Sequence, residues 1–282
     1  MLELETHPAR VQPAVASAPY DRWVTPEGEV KAEFHRQPEG FLVRFPDEAD
    51  FAIDLVRRRA AGWPAPETTP DHFDSLFRHG VLPMVGNHLG GLFLHGSAVV
   101  IDGQAVAFLG LSRSGKTTLA GMLAKSGYPF LTEDVIELVP SGDAYLLKPQ
   151  HSKLRLFVDS AAYLLGHEFA EADLDDDDKH SVAGGDDLPF SDVAAPLARL
   201  YLLGRDHDAP LAIKALEGPA ALTQLLPHAF VLDVEDKPRL KGHFCRIAEL
   251  SERIGCYALD YPRQYGELPA VMTAILSDLE QN

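Results

Sequence analysis

The chain has 282 residues, 46% of them apolar, enough for one large domain or a principal domain with a smaller companion. Its formal charge of −17 at pH 7 creates a field that repels nucleic acid and anionic membrane surfaces, so neither is an expected partner. The two cysteines, Cys245 and Cys256, form no CxxC pair and stand beside no regular set of histidines, which points away from zinc and disulfide frameworks and towards a reducing cytoplasm.

The N-terminal stretch Met1 to Tyr20 lacks a basic start followed by an apolar run, so no signal peptide is expected. Pro8, Pro13 and Pro19 with little periodicity suggest a loosely ordered arm or an edge segment. From Val30 to Leu55, runs such as Phe41-Leu42-Val43-Arg44-Phe45 and Phe51-Ala52-Ile53-Asp54-Leu55 alternate between turn signals, the pattern of antiparallel strands. Ala60 to Asp71, with Pro64, Pro66 and Pro70, reads as a linker, and Phe73 to Leu89 carries apolar residues at helical spacing. The expected division is a small β-rich N-terminal module with its linker over residues 1–70 and an α/β catalytic domain over residues 71–282.

That second domain opens with two apolar runs, Leu92 to Ile101 and Gln104 to Leu109, joined by Asp102-Gly103, a dipeptide suited to a two-residue hairpin. The longest apolar stretch, around Gly91 to Leu111, is broken by His95, Asp102 and Gln104, so no transmembrane span is expected. Thr118 to Ser126, stopped by Gly127, reads as a helix. Tyr128 to Leu131 and Val135 to Val139 read as strands around Thr132-Glu133-Asp134, and Ser141-Gly142-Asp143 as a hairpin into Ala144 to Leu147. The acidic run from Glu168 through Asp175 to Asp178 reads as a solvated loop. Leu197 to Leu203 is a continuous apolar strand, while Ala220 to Leu226, Leu240 to Ile254 and Leu268 to Leu279 have helical patterns.

Gly110-Leu111-Ser112-Arg113-Ser114-Gly115-Lys116-Thr117 fits G-x-x-x-x-G-K-[ST] at every fixed position, between a strand and a helix. Small residues let such a loop wrap phosphates with its backbone N–H groups, and the helix beginning near Lys116 adds unpaired donors, with Thr118 next in line. Lys116 is expected to reach the β- and γ-phosphates of ATP and the Thr117 hydroxyl to ligate Mg²⁺. Transfer to an alcohol also needs an acid for the metal and a base for the proton. Glu133 and Asp134 are the candidates, because at a strand end or tight turn both can approach one site, one as metal ligand and the other as proton acceptor. His95, a lone histidine in an apolar strand, reads on spacing alone as a structural group. No role follows for His88, His151, His167 or His180.

Leu94-His95-Gly96-Ser97-Ala98-Val99, the phosphate loop, and Gly127-Tyr128-Pro129-Phe130-Leu131-Thr132-Glu133-Asp134, in that order, resemble the catalytic domain of the HPr serine kinase/phosphorylase family and its shorter kinase relatives. The likeness continues more weakly through Lys153 to Phe157, Ala195 to Tyr201 and Tyr261-Pro262-Arg263, covering roughly residues 90 to 275. It implies a compact P-loop kinase fold akin to phosphoenolpyruvate carboxykinase, and transfer of the ATP γ-phosphate to a serine hydroxyl. On this resemblance Glu133 matches the position of the catalytic base, Asp134 the second acidic position, and His95 the histidine beside the phosphates. Lys153, Arg155 and Lys179 are cations that could neutralise developing charge. The family usually has aspartate where Glu133 stands, so the side chain here is longer by one methylene. The glycine- and arginine-containing C-terminal signature tied to phosphorolysis has no counterpart, and the N-terminal module differs from that of the bifunctional enzymes. The resemblance to the shorter relatives, some of which phosphorylate the C-terminal serine of a lasso-peptide precursor, implies a peptide or small protein as acceptor, with such a serine as the specific candidate, and the resemblance to the parent family implies a homo-oligomer. The alternatives are an ATP-sensing regulatory module that transfers nothing and a small-molecule kinase.

Overall fold

The computed structural model describes residues 2–25, 27–166 and 179–281; the acidic run around Asp175 to Asp178 and His167 lie outside the described residues. The chain divides into two compact units, Met1–Gly91 with Val231–Lys241, and Leu92–Phe230 with Gly242–Asn282.

In the first unit β1 (Glu3–Thr6), β2 (Asp21–Val24), β3 (Val30–Gln37), β4 (Gly40–Phe45), β5 (Ala49–Asp54) and β6 (Arg59–Pro64) form one sheet in the order β1-β6-β5-β4-β3-β2. All neighbours are antiparallel except β1 with β6. The strands at 41–45 and 51–55 thus pair as the alternation predicts, with Val43 opposite Phe51. Residues 60–64, expected in a linker, are instead a strand held between β1 and β5. Ala60-Ala61-Gly62 carries no β-branched residue, so the signal that marks most strands is absent there.

The helical segment expected from Phe73 runs as α1 (Pro70–Ser75), a π-helical stretch (Leu76–Val81) and α2 (Leu82–His88), started by the Thr69 side chain accepting from the His72 N–H. It belongs to the first unit rather than the second, so the boundary expected at residue 70 falls at Gly91. The reason is aromatic packing: Phe73 stacks on Phe51 at 5.0 Å between ring centres, and Phe77 lies 5.9 Å from the same ring. Arg36 fastens the returning segment, donating to Asp233 at 2.6 and 2.9 Å and to Glu235 at 2.8 Å.

The second unit is mixed α/β. Its strands are β7 (Phe93–Ile101), β8 (Gln104–Leu109), β9 (Phe130–Thr132), β10 (Val135–Ser141), β11 (Ala144–Lys148), β12 (Lys153–Phe157), β13 (Lys179–Ala183), β14 (Ala195–Leu203), β15 (Ala212–Ala215) and β16 (Gly255–Asp260). Its helices are α3 (Lys116–Lys125), α4 (Val158–Leu165), α5 (Gly218–Leu225), α6 (Lys237–Arg253), which starts within the stretch assigned to the first unit, and α7 (Leu268–Glu280). The main sheet runs β11-β10-β7-β8-β14-β16-β15, with β9 on β7 and a further pairing of β11 with the start of β14. β14 is parallel to both β8 and β16.

β8 is buried on both faces. Ala105, Ala107 and Leu109 pack into one apolar cluster with Ile247 and Leu250 of α6, while Val106 and Phe108 pack into the other with Leu119 of α3 and Val271 of α7. That two-sided burial accounts for the unbroken apolar run in the sequence. It also makes β8 a rigid base whose end at Leu109 delivers the chain into Gly110.

Candidate functional site

The segment Gly110 to Gly115 leaves β8 and enters α3 in a tight loop. A Cβ on Gly110 would lie 2.4 Å from the Ser114 Oγ, and Gly115 has φ +94 with the Tyr261 hydroxyl 2.8 Å from where its Cβ would be. Both positions therefore require glycine. Arg113 holds φ 62, a left-handed conformation that a long side chain adopts only under constraint from its surroundings. The Lys116 ammonium donates to the Gly110 and Leu111 carbonyls, each at 3.0 Å, and burial lowers its pKa to about 8.

Asp134 stands between β9 and β10 with φ 61, and the Val135 N–H reaches back to the Glu133 carbonyl at 2.8 Å, closing a three-residue turn. Short polar side chains tolerate this conformation best. The turn sends the two acids to different partners. Glu133 Oε1 accepts from the Thr117 hydroxyl at 3.2 Å, whereas Asp134 Oδ2 accepts from Arg155 at 3.2 Å with the Lys179 ammonium 3.9 Å away. Burial, with Asp134 adding to it, pushes Glu133 well above the carboxylate range. His95, opposite Val135 in the β7–β10 register, has Nδ1 2.9 Å from the Asp134 carbonyl, and burial lowers its pKa.

His95, Lys116, Thr117 and Asp134 border a cavity of about 1270 Å³ within the second unit. Among the described residues five cations line it, Arg113, Lys116, Arg155, Lys179 and Arg263, against two acids, Asp134 and Asp159. In a chain of net charge −17, that local excess of positive charge favours an anionic ligand. Nothing among the described residues groups three or more histidine, cysteine or acidic side chains into a metal cage. The donor set instead suits magnesium, which takes one or two carboxylates, a hydroxyl and phosphate oxygens. Thr117 Oγ1 and Glu133 Oε1 are already adjacent oxygens at the loop.

No protein-family model and no curated protein matches the chain. Among solved structures it is similar to the Hpr(Ser) kinase/phosphatase from Coxiella burnetii, at 13% identity over 67% of this chain and 98% of that one, with a TM-score of 0.36. A likeness at that score decides nothing about fold or function, so the functional reading rests on sequence and site chemistry.

Of the residues singled out in the sequence, His95, Ser112, Arg113, Gly115, Lys116, Thr117, Thr118 and Asp134 line the cavity. Gly110, Ser114 and Glu133 lie behind that wall and act through neighbours: Gly110 and Ser114 offer their carbonyls to Lys116 and Arg263, and Glu133 holds Thr117. Arg155 and Lys179 reach Asp134, while Lys153 is not among the lining residues. Arg263, noted in sequence only as part of a stretch, donates to the Ser114, Gly204 and Tyr261 carbonyls at 2.9, 3.0 and 2.5 Å. One guanidinium thus ties the phosphate loop to the end of β14 and to its own segment. His228, unmarked in the sequence, is buried near His95 and Lys116; burial first and those two groups next lower its pKa to about 4. Among the described residues, no helix is long and apolar enough to cross a membrane.

Proposed function

We propose that the chain is an ATP- and Mg²⁺-dependent phosphotransferase acting on a serine hydroxyl of a peptide or small protein. The observation that carries the reading is the cavity in which a complete phosphate loop faces an acid held by two cations, Asp134 with Arg155 and Lys179. The ordered motif resemblance supplies serine as the acceptor class, and the C-terminal serine of a lasso-peptide precursor is the specific candidate.

In this reading the loop N–H groups, Lys116 and Arg113 hold the triphosphate, and Thr117 with Glu133 holds the magnesium. Magnesium, when bound there, would offset phosphate charge and would favour ionised Glu133. Asp134 lines the cavity and takes the hydroxyl proton as the serine oxygen bonds to the γ-phosphorus and the β,γ-bridging P–O bond breaks, releasing ADP. This assignment exchanges the roles implied by the resemblance, because Glu133 is buried against Thr117 and Asp134 is the acid on the cavity wall.

The test is intact-mass analysis of candidate peptides and lysate proteins incubated with the enzyme, Mg²⁺ and γ-¹⁸O-labelled ATP. A labelled phosphate on serine supports the reading; ATP bound without any phosphorylated product would sink it. Glu133→Gln separates the acids: a raised Mg²⁺ requirement is expected, while loss of proton abstraction at saturating Mg²⁺ would return the base to Glu133.

A further inference from the structure

The cavity is also lined by Asp159, Ser160 and Tyr265, which the phosphate chemistry leaves unused. Phe157 lines the cavity too, with the Arg113 guanidinium 5.1 Å and the Lys179 ammonium 5.4 Å from its ring centre. The Thr118 hydroxyl lies 2.9 Å from that of Ser160, which lies 3.1 Å from that of Tyr265. Ser160 is only 4% exposed, so this chain of hydroxyls is built into the wall and does not lie loose on a surface. Tyr163 stacks on Tyr265 at 4.7 Å and 21°, fixing the orientation of its ring. Asp159 is an exposed carboxylate beside these groups, accepting from the Ser160 N–H at 2.9 Å through Oδ1.

A triphosphate seated at Lys116 to Thr118 must send its nucleoside along one direction. Around Asp134, Arg155 and Lys179 favour anions over a neutral base and ribose. Asp159, Ser160 and Tyr265 have the complementary chemistry, an oriented aromatic ring for a base and an exposed carboxylate for a diol.

We propose that Asp159, Ser160 and Tyr265 form the nucleoside subsite, with the ribose hydroxyls donating to Asp159 and the base packing against Tyr265. The subsite selects ribonucleotides over 2′-deoxyribonucleotides. This inference rests on the phosphate-loop reading above and adds to it the part of the ligand that the loop cannot recognise.

The experiment is calorimetric binding of Mg-ATP, Mg-2′-deoxy-ATP and magnesium tripolyphosphate to the full chain and to its Asp159→Asn and Tyr265→Phe variants. ATP is expected to bind the unaltered protein at least about tenfold more tightly than 2′-deoxy-ATP or tripolyphosphate, the scale of one hydrogen bond to a charged group. Asp159→Asn should remove most of the ribose preference without weakening tripolyphosphate binding; since Asp159 is exposed, loss of folding is not an expected complication. Tyr265→Phe, which keeps the ring, should retain ATP binding within about threefold if stacking is its contribution. Tripolyphosphate binding as tightly as ATP overturns the subsite while leaving the loop reading intact, as does an Asp159→Asn variant with an unchanged ribose preference. Failure of all three ligands to bind overturns both.

Discussion

In the first unit Asp50 is 1% exposed and sits in an extended strand, gripped by Arg44 at 2.7 and 2.9 Å, by the Gln12 amide at 3.0 Å and by Arg10 at 3.7 Å. In the second unit Asp134 sits in a left-handed turn at φ 61, with Arg155 and Lys179 both approaching Oδ2 and with the carboxylate on the wall of the large cavity. Each is a buried acid with two cations, yet the settings do different things. Around Asp50 the donors enclose both oxygens on regular backbone, which fixes the sheet to the arm that crosses it. Around Asp134 the backbone is strained and the charges face space, the signature of a group kept for a ligand at some cost in stability.

Substitution separates these settings, and the largest expected effect is at Asp134. Asp134→Asn should lower phosphoryl transfer by about 10²- to 10⁴-fold, the range for losing a positioned general base, with little change in thermal midpoint or Mg-ATP affinity. Single-turnover transfer measured beside ATP binding checks this; unaltered transfer would remove Asp134 from the chemistry. Asp50→Asn should do the reverse. Leaving Arg44 buried without its partner costs on the order of 3 kcal/mol of stability, visible in urea unfolding, while ATP binding persists. An Asp50 variant that unfolds normally but transfers poorly would break the comparison.

The loop from Gly110 to Thr117 was legible because its signal is local. Eight consecutive residues fix the backbone path, and the strand before and helix after are periodic enough to read. The acid pair was legible as a pair but not in its division of labour. Whether Glu133 or Asp134 meets Thr117 depends on the three-residue turn, which nothing in Thr132-Glu133-Asp134-Val135 announces. The rest of the cavity lining was not legible, since Asp159, Ser160 and Tyr265 are ordinary polar and aromatic residues brought together only by tertiary contact. In the fold, β6 escaped because Ala and Gly carry little strand signal. The helix at 70–88 was foreseen in type but joined to the wrong unit, because periodicity shows an apolar face without showing that Phe51 covers it.

Arg263 tests the contrast at intermediate scale, since its guanidinium spends its hydrogen bonds on backbone carbonyls although it borders the cavity. Arg263→Ala should weaken Mg-ATP by about tenfold, equivalent to ~1.4 kcal/mol, through a loosened loop. Amide hydrogen exchange should rise at Ser112 to Thr117. Arg263→Lys should recover little, because one ammonium cannot span the Ser114 and Gly204 carbonyls. Full recovery by lysine would mean that Arg263 serves as a charge for the ligand and not as a brace for the loop.

The smallest effect separates two histidines of the second unit. His95 borders the cavity, whereas His243 is 7% exposed on α6 with neither ring nitrogen hydrogen-bonded among the described residues. Burial, with Arg246 adding to it, lowers the His243 pKa from 6.5 to about 4. The folded chain then resists a proton that the unfolded chain accepts, so this group leaves stability untouched above pH 6.5 and removes it progressively as pH falls towards 4. His228, with a pKa also near 4, acts in the same direction and remains in place as the internal control. His243→Leu should therefore flatten, without abolishing, the fall in thermal midpoint between about pH 7 and pH 4.5, and should leave Mg-ATP affinity unchanged. Parallel pH curves for the two proteins would mean that His243 takes up its proton in the folded state, and that its burial does not close it off in the way Asp50 is closed off.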